Sequence, residues 1–194
     1  MFWRRSDDDG TEAPPPSPAG GAGAGGREKD GEALRVVVEI PKGSRNKYEF
    51  DAELGRFVLD RMLFSSVHYP ADYGFIPGTE ARDGDPMDAL VLVGEATFPG
   101  CVIEARPVGV FDMRDEKGPD EKILCVPVSD PQWNWIEGLD QVPAHLLNEI
   151  LHFFEIYKEL EDKETEVEGW KDREEAWRQI REGRARGEES EPDG

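Results

Sequence analysis

The sequence predicts a mainly β domain with some α-helix, built around a small closed barrel. Short stretches that alternate between apolar and polar residues recur through the middle of the chain, separated by glycine and proline. Many short strands with such punctuation are typical of a small β-barrel. One strongly amphipathic helical segment follows them, and 194 residues suffice for a single domain with a hydrophobic core.

Six segments have the pattern of a strand. In the first, Val36, Val38 and Ile40 alternate with Val37 and Glu39, which places Glu39 on the face opposite Val38. The other strands are predicted at 48–51, 56–60, 89–93, 102–113 and 123–128. The stretch 69–75 is predicted to be a loop, because it contains both proline and glycine.

Two helices are predicted after the strands. Pro143 opens the first, whose apolar residues recur at helical spacing and form a core-facing stripe: Leu147, Ile150, Leu151, Phe154 and Tyr157. The second runs from about Lys171 to Arg184. Its apolar residues are few and lie amid charge, so we expect it to pack weakly; they are Ala176, Trp177 and Ile180.

The two ends of the chain differ in composition from the middle. Residues 1–33 contain consecutive prolines and a Gly/Ala tract but no Leu, Ile or Val, which predicts a disordered tail. The folded domain is predicted at 34–185. The acidic end, 186–194, is expected to fray.

The charge of the chain narrows the classes of partner. It has 23 basic and 43 acidic residues, a formal net charge of −20, which disfavours binding to nucleic acid or anionic lipid. We find no apolar run of membrane-spanning length and no secretory signal. Cys101 and Cys125 each lie in an apolar run, so we predict two buried thiols in a reducing cytoplasm.

The segment Asp83-Gly84-Asp85-Pro86-Met87-Asp88 holds three carboxylates within six residues. Two unit charges 4 Å apart repel by about 1 kcal/mol in water and about 4 kcal/mol at an effective dielectric of 20, so such a cluster usually has a cation to hold. Glycine and proline favour a tight turn, and oxygen ligands favour a hard ion such as Mg²⁺. A solvated acidic surface turn is the alternative.

Two familiar carboxylate motifs do not fit this segment. An EF-hand loop needs Gly at its sixth position and Glu at its twelfth, where counting from Asp83 gives Asp88 and Gly94. The Asp-x-Asp pair of haloacid-dehalogenase-like phosphatases follows a hydrophobic strand, but here the residues 79–82, Thr-Glu-Ala-Arg, precede it.

A second acidic group lies between two predicted strands, at 115–122. Gly118 and Pro119 mark a turn, so Asp115 and Asp120 are expected on opposite arms of a hairpin, where they could converge on one ion. A polar hairpin tip without a ligand predicts the same composition.

Basic and aromatic residues could bind an anion near these carboxylates. Period-two geometry points Lys47 and Glu49 to one face of a strand. The other candidates are Arg61, Tyr73, Tyr157 and Lys158. An exposed strand face, core tyrosines and a solvated helix lysine explain the same residues.

Taken in order, these motifs resemble family I soluble inorganic pyrophosphatase over about 36–170. The resemblance is carried by Val38-Glu39-Ile-Pro, Lys47-Tyr48-Glu49, Asp60-Arg61, Tyr69-Pro-Ala-Asp-Tyr73-Gly, Asp83-Gly-Asp85-Pro-Met-Asp88, Arg106-Pro-Val-Gly, the segment from Asp115 to Lys122, and His152-Phe-Phe-Glu-Ile-Tyr157-Lys158. It implies a five-stranded OB-like closed barrel flanked by two helices, and several Mg²⁺ ions per active site. It further implies hydrolysis of diphosphate to two orthophosphates by a cytoplasmic homo-oligomer, which is usually a hexamer in bacterial relatives.

The resemblance also assigns roles to single residues. Six carboxylates would bind metal: Asp83, Asp88, Asp115, Asp120, Glu39 and Glu49. Six further residues would bind the phosphates: Lys47, Arg61, Tyr73, Lys122, Tyr157 and Lys158. We predict Asp85 as the base that takes the proton of the attacking water, with Asp120 as second choice.

Two other functions stay open at this point. One is a metal-dependent phosphatase acting on an organic phosphoester or a nucleotide. The other is a non-catalytic OB-like binding module, although the acidic residues disfavour nucleic acid, which needs a basic groove with stacking aromatics.

Overall fold

A computed structural model describes residues 33–115, 118–161 and 165–190. The strands are β1 (Leu34–Ile40), β2 (Asn46–Asp51), β3 (Arg56–Met62), β4 (Asp72–Phe75), β5 (Asp88–Val91), β6 (Val102–Asp115), β7 (Gly118–Pro127) and β8 (Glu166–Lys171). The helices are α1 (Ala144–Ile156) and α2 (Arg173–Ser190), with 3-10 turns at Leu139–Gln141 and Glu159–Glu161.

Five of the strands form a closed ring. β1 pairs antiparallel with β4 and β6, β4 with β5, and β6 with β7, while β5 and β7 run parallel and complete the circle. The predicted fold class, a mainly β domain with a five-stranded OB-like barrel and two helices, is confirmed. Outside the ring, β2 and β3 form a hairpin and β8 extends the sheet along β6.

The residues of β7 show how the two helices are placed. Leu124 and Val126 belong to a buried cluster that includes Phe153 and Phe154 of α1. The alternate residues Ile123 and Cys125 belong to a second cluster, which α2 covers. Because neighbouring residues of a strand point to opposite faces, α1 and α2 pack on opposite faces of β7.

β4 corrects the prediction of a loop for residues 72–75, whereas 69–71 lie outside any strand or helix. Gly74 lies opposite Val38 of β1, and a Cβ atom on Gly74 would lie 1.9 Å from the carbonyl oxygen of Val37. The glycine therefore lets two barrel strands approach closely, which is one of the uses of glycine inside a strand.

The C-terminal region also differs from its prediction. α2 continues through Ser190, six residues beyond its predicted end at Arg184, while 191–194 lie outside the described residues. The expected weak packing is wrong too, because Ala176, Trp177 and Ile180 are buried. Neither described helix has the length and apolar composition needed to span a bilayer.

Two further predictions concern the N-terminal tail and the two cysteines. The predicted tail, 1–33, lies outside them except for Ala33. Both cysteines are free, with Cys125 buried as predicted and Cys101 only half-buried.

Candidate active site

Lys122 lies at the centre of the candidate site, on β7 beside Asp88 of the parallel strand β5. Its Nζ donates hydrogen bonds to Asp88 Oδ2 at 2.8 Å, to Asp120 Oδ1 at 2.7 Å and to the hydroxyl of Tyr73 at 3.1 Å. The barrel pairing thus brings two carboxylates distant in the chain onto one cation.

The Lys122 side chain is only 2 % exposed, yet it stays charged. Burial lowers the pKa of Lys122, but Asp88, Tyr73 and Asp120 outweigh this effect and hold the pKa well above its ordinary value. The ammonium also lies 5.4 Å from the ring centroids of Tyr73 and Phe154, within range of a cation–π interaction. The site therefore contains a fixed positive charge at neutral pH.

Tyr73 and Tyr157 contribute buried phenols to the same site. Burial raises the pKa of both, so each keeps its proton at neutral pH and can donate a hydrogen bond. Lys158 lies beside Tyr157, with Nζ 5.4 Å from the ring centroid.

The β2–β3 hairpin presents alternating charges. Lys47 and Arg61 are paired across the two strands. Lys47 forms ion pairs with Glu49 and, at 3.5 Å, with Asp60, and Asp60 also pairs with Arg61. The cations that the family resemblance assigns to the phosphates are held here by neighbouring carboxylates.

Glu39, on β1 of the barrel, contacts the β2–β3 hairpin through its side chain. Its Oε1 accepts a hydrogen bond of 2.8 Å from the backbone N–H of Phe50. Burial raises the pKa of Glu39 to about 7, with smaller contributions from Asp88 and Glu49 in the same direction. A carboxyl with this pKa is partly protonated at neutral pH.

The segment 83–88 forms the predicted tight turn. Gly84 has φ +92°, and the Asp85 N–H donates to Asp83 Oδ1 at 3.2 Å. Asp83 and Asp85 are exposed, whereas Asp88 at the start of β5 is half-buried. Met87, 2 % exposed, anchors the turn in the core.

The described residues do not bring all the predicted metal ligands together. Within 33–115, 118–161 and 165–190, no group of three or more His, Cys, Asp or Glu side chains lies close enough to hold a metal ion. Asp88 and Asp120 do converge on one cation, the Lys122 ammonium, and such an oxygen donor set fits a hard divalent ion. The side chain of Asp115 lies outside the described part, although its backbone pairs with Gly118.

One contact at the site was missed by sequence reasoning. Glu161, in the 3-10 turn after α1, binds Arg61 with Oε2 at 2.8 Å from Nη2. A glutamate in an acidic stretch has no local pattern that would single it out.

Comparison with known proteins agrees with this arrangement. Residues 36–188 match the Pyrophosphatase family model, described as inorganic pyrophosphatase. The inorganic pyrophosphatase of Methanosarcina acetivorans is 62 % identical over 151 residues, which are 78 % of this chain and 90 % of that protein.

Solved structures give the same result. The inorganic pyrophosphatase from Thermus thermophilus has a TM-score of 0.80 at 45 % identity, covering 83 % of this chain and 94 % of that one. The Helicobacter pylori inorganic pyrophosphatase has a TM-score of 0.79 at 41 % identity, covering 83 % and 96 %. From the family match and these identities, we conclude that the chain belongs to the inorganic pyrophosphatase family.

Proposed function

We propose that this chain hydrolyses diphosphate to two orthophosphates in a reaction that requires several Mg²⁺ ions. The observation that carries the proposal is the cluster in which Asp88 and Asp120 meet the buried ammonium of Lys122 beside the phenol of Tyr73. It lies within the region that matches the family model. A buried cation next to carboxylates suits a polyanionic substrate that binds together with metal ions.

The proposed metal ligands are six carboxylates. Asp83, Asp88, Asp115 and Asp120 would hold the ions, and Glu39 and Glu49 would complete the acidic lining. Bound Mg²⁺ would neutralise phosphate charge and lower the pKa of a bound water from 15.7 towards roughly 7. The choice of Mg²⁺ rests on the oxygen-only chemistry of these aspartates, which favours a hard ion.

The remaining residues would handle the proton and the phosphates. Asp85, between Asp83 and Asp88 in sequence, is the proposed base that accepts the proton of the attacking water, with Asp120 as second choice. The proposed donors to the phosphate oxygens are Lys47, Arg61, Tyr73, Lys122, Tyr157 and Lys158. Charged and hydroxyl donors held in fixed positions stabilise the charge that develops on the leaving phosphate.

Release of orthophosphate tests the reaction directly. The purified chain would be assayed with diphosphate, ATP and p-nitrophenyl phosphate, first with Mg²⁺ and then with EDTA. We expect diphosphate to be hydrolysed fastest and the activity to vanish in EDTA. Preference for ATP or p-nitrophenyl phosphate would instead indicate a phosphatase of organic substrates.

A variant of the proposed base separates an enzyme from a binding module. Asp85→Asn should lower kcat by about 10²-fold or more, the range of a positioned acid–base group, while circular dichroism shows the fold intact. Asp172→Asn is the matched control: Asp172 accepts a hydrogen bond from the N–H of Glu175 at the start of α2, and asparagine also caps helices well. Equal activity of the two variants would contradict the assignment of Asp85.

The family resemblance extends the proposal to assembly, location and domain limits. We propose a homo-oligomer, with a hexamer favoured, in the cytoplasm, and a catalytic domain spanning 34–185. Subunit contacts could bury exposed apolar side chains on the hairpin and just after it. These side chains are Leu59, Met62 and Phe64. Sedimentation velocity would give the number of subunits.

A further inference from the structure

We propose that Glu161 is a positioning residue for diphosphate binding, because it fixes the guanidinium of Arg61 in the orientation that presents it to a phosphate. This inference rests on the proposed function, in which Arg61 binds the substrate. The proposed role of Glu161 involves no direct contact with substrate or metal.

The contact between Glu161 and Arg61 has two points. Arg61 Nη2 donates to Glu161 Oε2 at 2.8 Å, and Nε donates to Oε1 at 3.1 Å. Two parallel hydrogen bonds fix the plane of the guanidinium as well as its position, which a single contact cannot do.

The environment makes this contact the dominant one for Arg61. The Glu161 side chain is 6 % exposed, whereas that of Asp60, the other partner of Arg61, is 31 % exposed. Asp60 also divides its charge between Arg61 and Lys47, and exposed ion pairs are weakened by water and salt. Opening the pair would leave the buried Glu161 carboxylate without its partner, which costs more free energy than opening the exposed pair with Asp60. Glu161 therefore holds the guanidinium more firmly.

The contact leaves part of the guanidinium for a ligand. Glu161 and Asp60 take three of its five N–H groups. Among the described residues, these are the hydrogen bonds that Arg61 donates, which leaves two of its N–H groups for a phosphate oxygen. The carboxylates therefore orient Arg61 without using all of its donors.

Glu161 also connects two parts of the proposed phosphate site. Its backbone N–H donates to the carbonyl of Lys158 at 2.8 Å, so it belongs to the turn that follows Tyr157 and Lys158. Arg61 lies on the β2–β3 hairpin, which is not part of the barrel ring. Through Glu161, the hairpin cation is set relative to the helix-end residues, which would let one diphosphate contact both.

Steady-state kinetics with Mg²⁺ and diphosphate test the proposal with four variants: Glu161→Gln, Arg61→Lys, the double variant and Glu161→Asp. Glu161→Gln replaces one acceptor by a donor, so it should raise KM about tenfold, the effect of losing one hydrogen bond to a charged group. The change in kcat should stay below about twofold, since substrate contacts the same groups once bound. Glu161→Asp keeps the charge and should recover part of the loss.

A matched control variant and a double-mutant cycle complete the experiment. Glu159→Gln alters an exposed glutamate of the same turn and should leave KM unchanged. If Glu161 acts through Arg61, the double variant should bind diphosphate no worse than Arg61→Lys alone. Circular dichroism spectra of Glu161→Gln and Glu159→Gln that match the spectrum of the unaltered chain would exclude a loss of fold as the cause.

The outcomes separate this inference from the proposed function. Failure of the unaltered chain to release phosphate from diphosphate would overturn the proposed function. An unchanged KM in Arg61→Lys would overturn the role of Arg61 and this inference with it. A raised KM in Arg61→Lys, combined with a normal KM in Glu161→Gln or with effects that multiply in the double variant, would overturn the role of Glu161 alone.

Discussion

Asp72 and Thr97 are joined by two hydrogen bonds: the hydroxyl and the backbone N–H of Thr97 both donate to Asp72 Oδ2, at 2.6 and 3.2 Å. Asp72 is fully buried, and its other oxygen accepts from the backbone N–H of Lys42 at 2.7 Å. The carboxylate thus ties the chain after β1 and the loop after β5 to β4. Because Asp72 precedes Tyr73, these contacts also support a residue of the candidate site.

Replacement of Asp72 by alanine should destabilise the domain strongly. It leaves three donors, on Lys42 and Thr97, without their acceptor, and we expect a loss of about 3 kcal/mol in the free energy of unfolding. Urea denaturation followed by circular dichroism measures it. Asp51→Ala is the control: Asp51 accepts one exposed hydrogen bond, from the N–H of Leu54, so its loss should be about 1 kcal/mol or less. Similar losses in the two variants would contradict this account.

Gly74→Ala should weaken the barrel where β1 and β4 meet. The new methyl group would overlap the backbone carbonyl of Val37, which cannot rotate away, so the strands must separate at a cost of about 3 kcal/mol. In Gly94→Ala the methyl group would lie 3.2 Å from the end of the flexible Gln132 side chain, and we expect less than about 0.5 kcal/mol. Thermal unfolding of both variants compares them, and a Gly74→Ala domain as stable as Gly94→Ala would show that β1 and β4 are not so close.

Glu39 should make stability depend on pH in the metal-free protein. Burial raises the pKa of Glu39 from 4.5 to about 7 in the folded state, so between these values the folded state binds more protons than the unfolded state. The stability that protonated Glu39 contributes to the folded state is therefore fully present below pH 4.5. It is lost as the pH rises through 7. Glu39→Gln removes this titration, so the free energy of unfolding of the variant should rise relative to that of the unaltered chain as the pH increases. We expect this relative gain to be about 2 kcal/mol between pH 5 and pH 8.

Urea denaturation in EDTA at pH 5 and pH 8 measures this gain. Taking the difference between the two proteins at each pH cancels the titration of the other groups. A difference that is the same at both pH values would contradict the raised pKa of Glu39.

Trp177→Ala should show that α2 is an integral part of the core. Trp177 is 6 % exposed and packs with Ile180 in the cluster that covers one face of β7. Removing an indole of this burial costs about 3–5 kcal/mol. Arg181→Ala, on the exposed side of the same helix, should change the free energy of unfolding by about 0.5 kcal/mol or less. A weakly packed α2 would make the two variants alike in guanidinium denaturation.

Most strands could be predicted from the sequence because alternation is a local property. The alternation at 36–40 marks β1, and the runs at 102–113 and 123–128 mark β6 and β7. β4 could not be found in this way, since Gly74 suggests a break unless the position of β1 is known. β8 was missed because its alternation is interrupted at Gly169, where its register with β6 shifts, and only pairing with β6 makes it a strand.

The residues of the candidate site were easier to predict than their contacts. Asp88, Asp120 and Lys122 belong to motifs whose order along the chain is characteristic of the family. That Lys122 would lie buried between the two carboxylates depends on the parallel register of β5 and β7, which no local pattern specifies. The same holds for Glu161, which meets Arg61 only through the tertiary fold.

Closure of the ring has a consequence for how the domain comes apart. Every barrel strand has a hydrogen-bonded partner on each side, so none can separate without breaking two ladders. Among the described strands, β2, β3 and β8 are the ones with a partner on one side alone. Unfolding of the barrel is therefore cooperative, and little edge is offered to a neighbouring chain for aggregation.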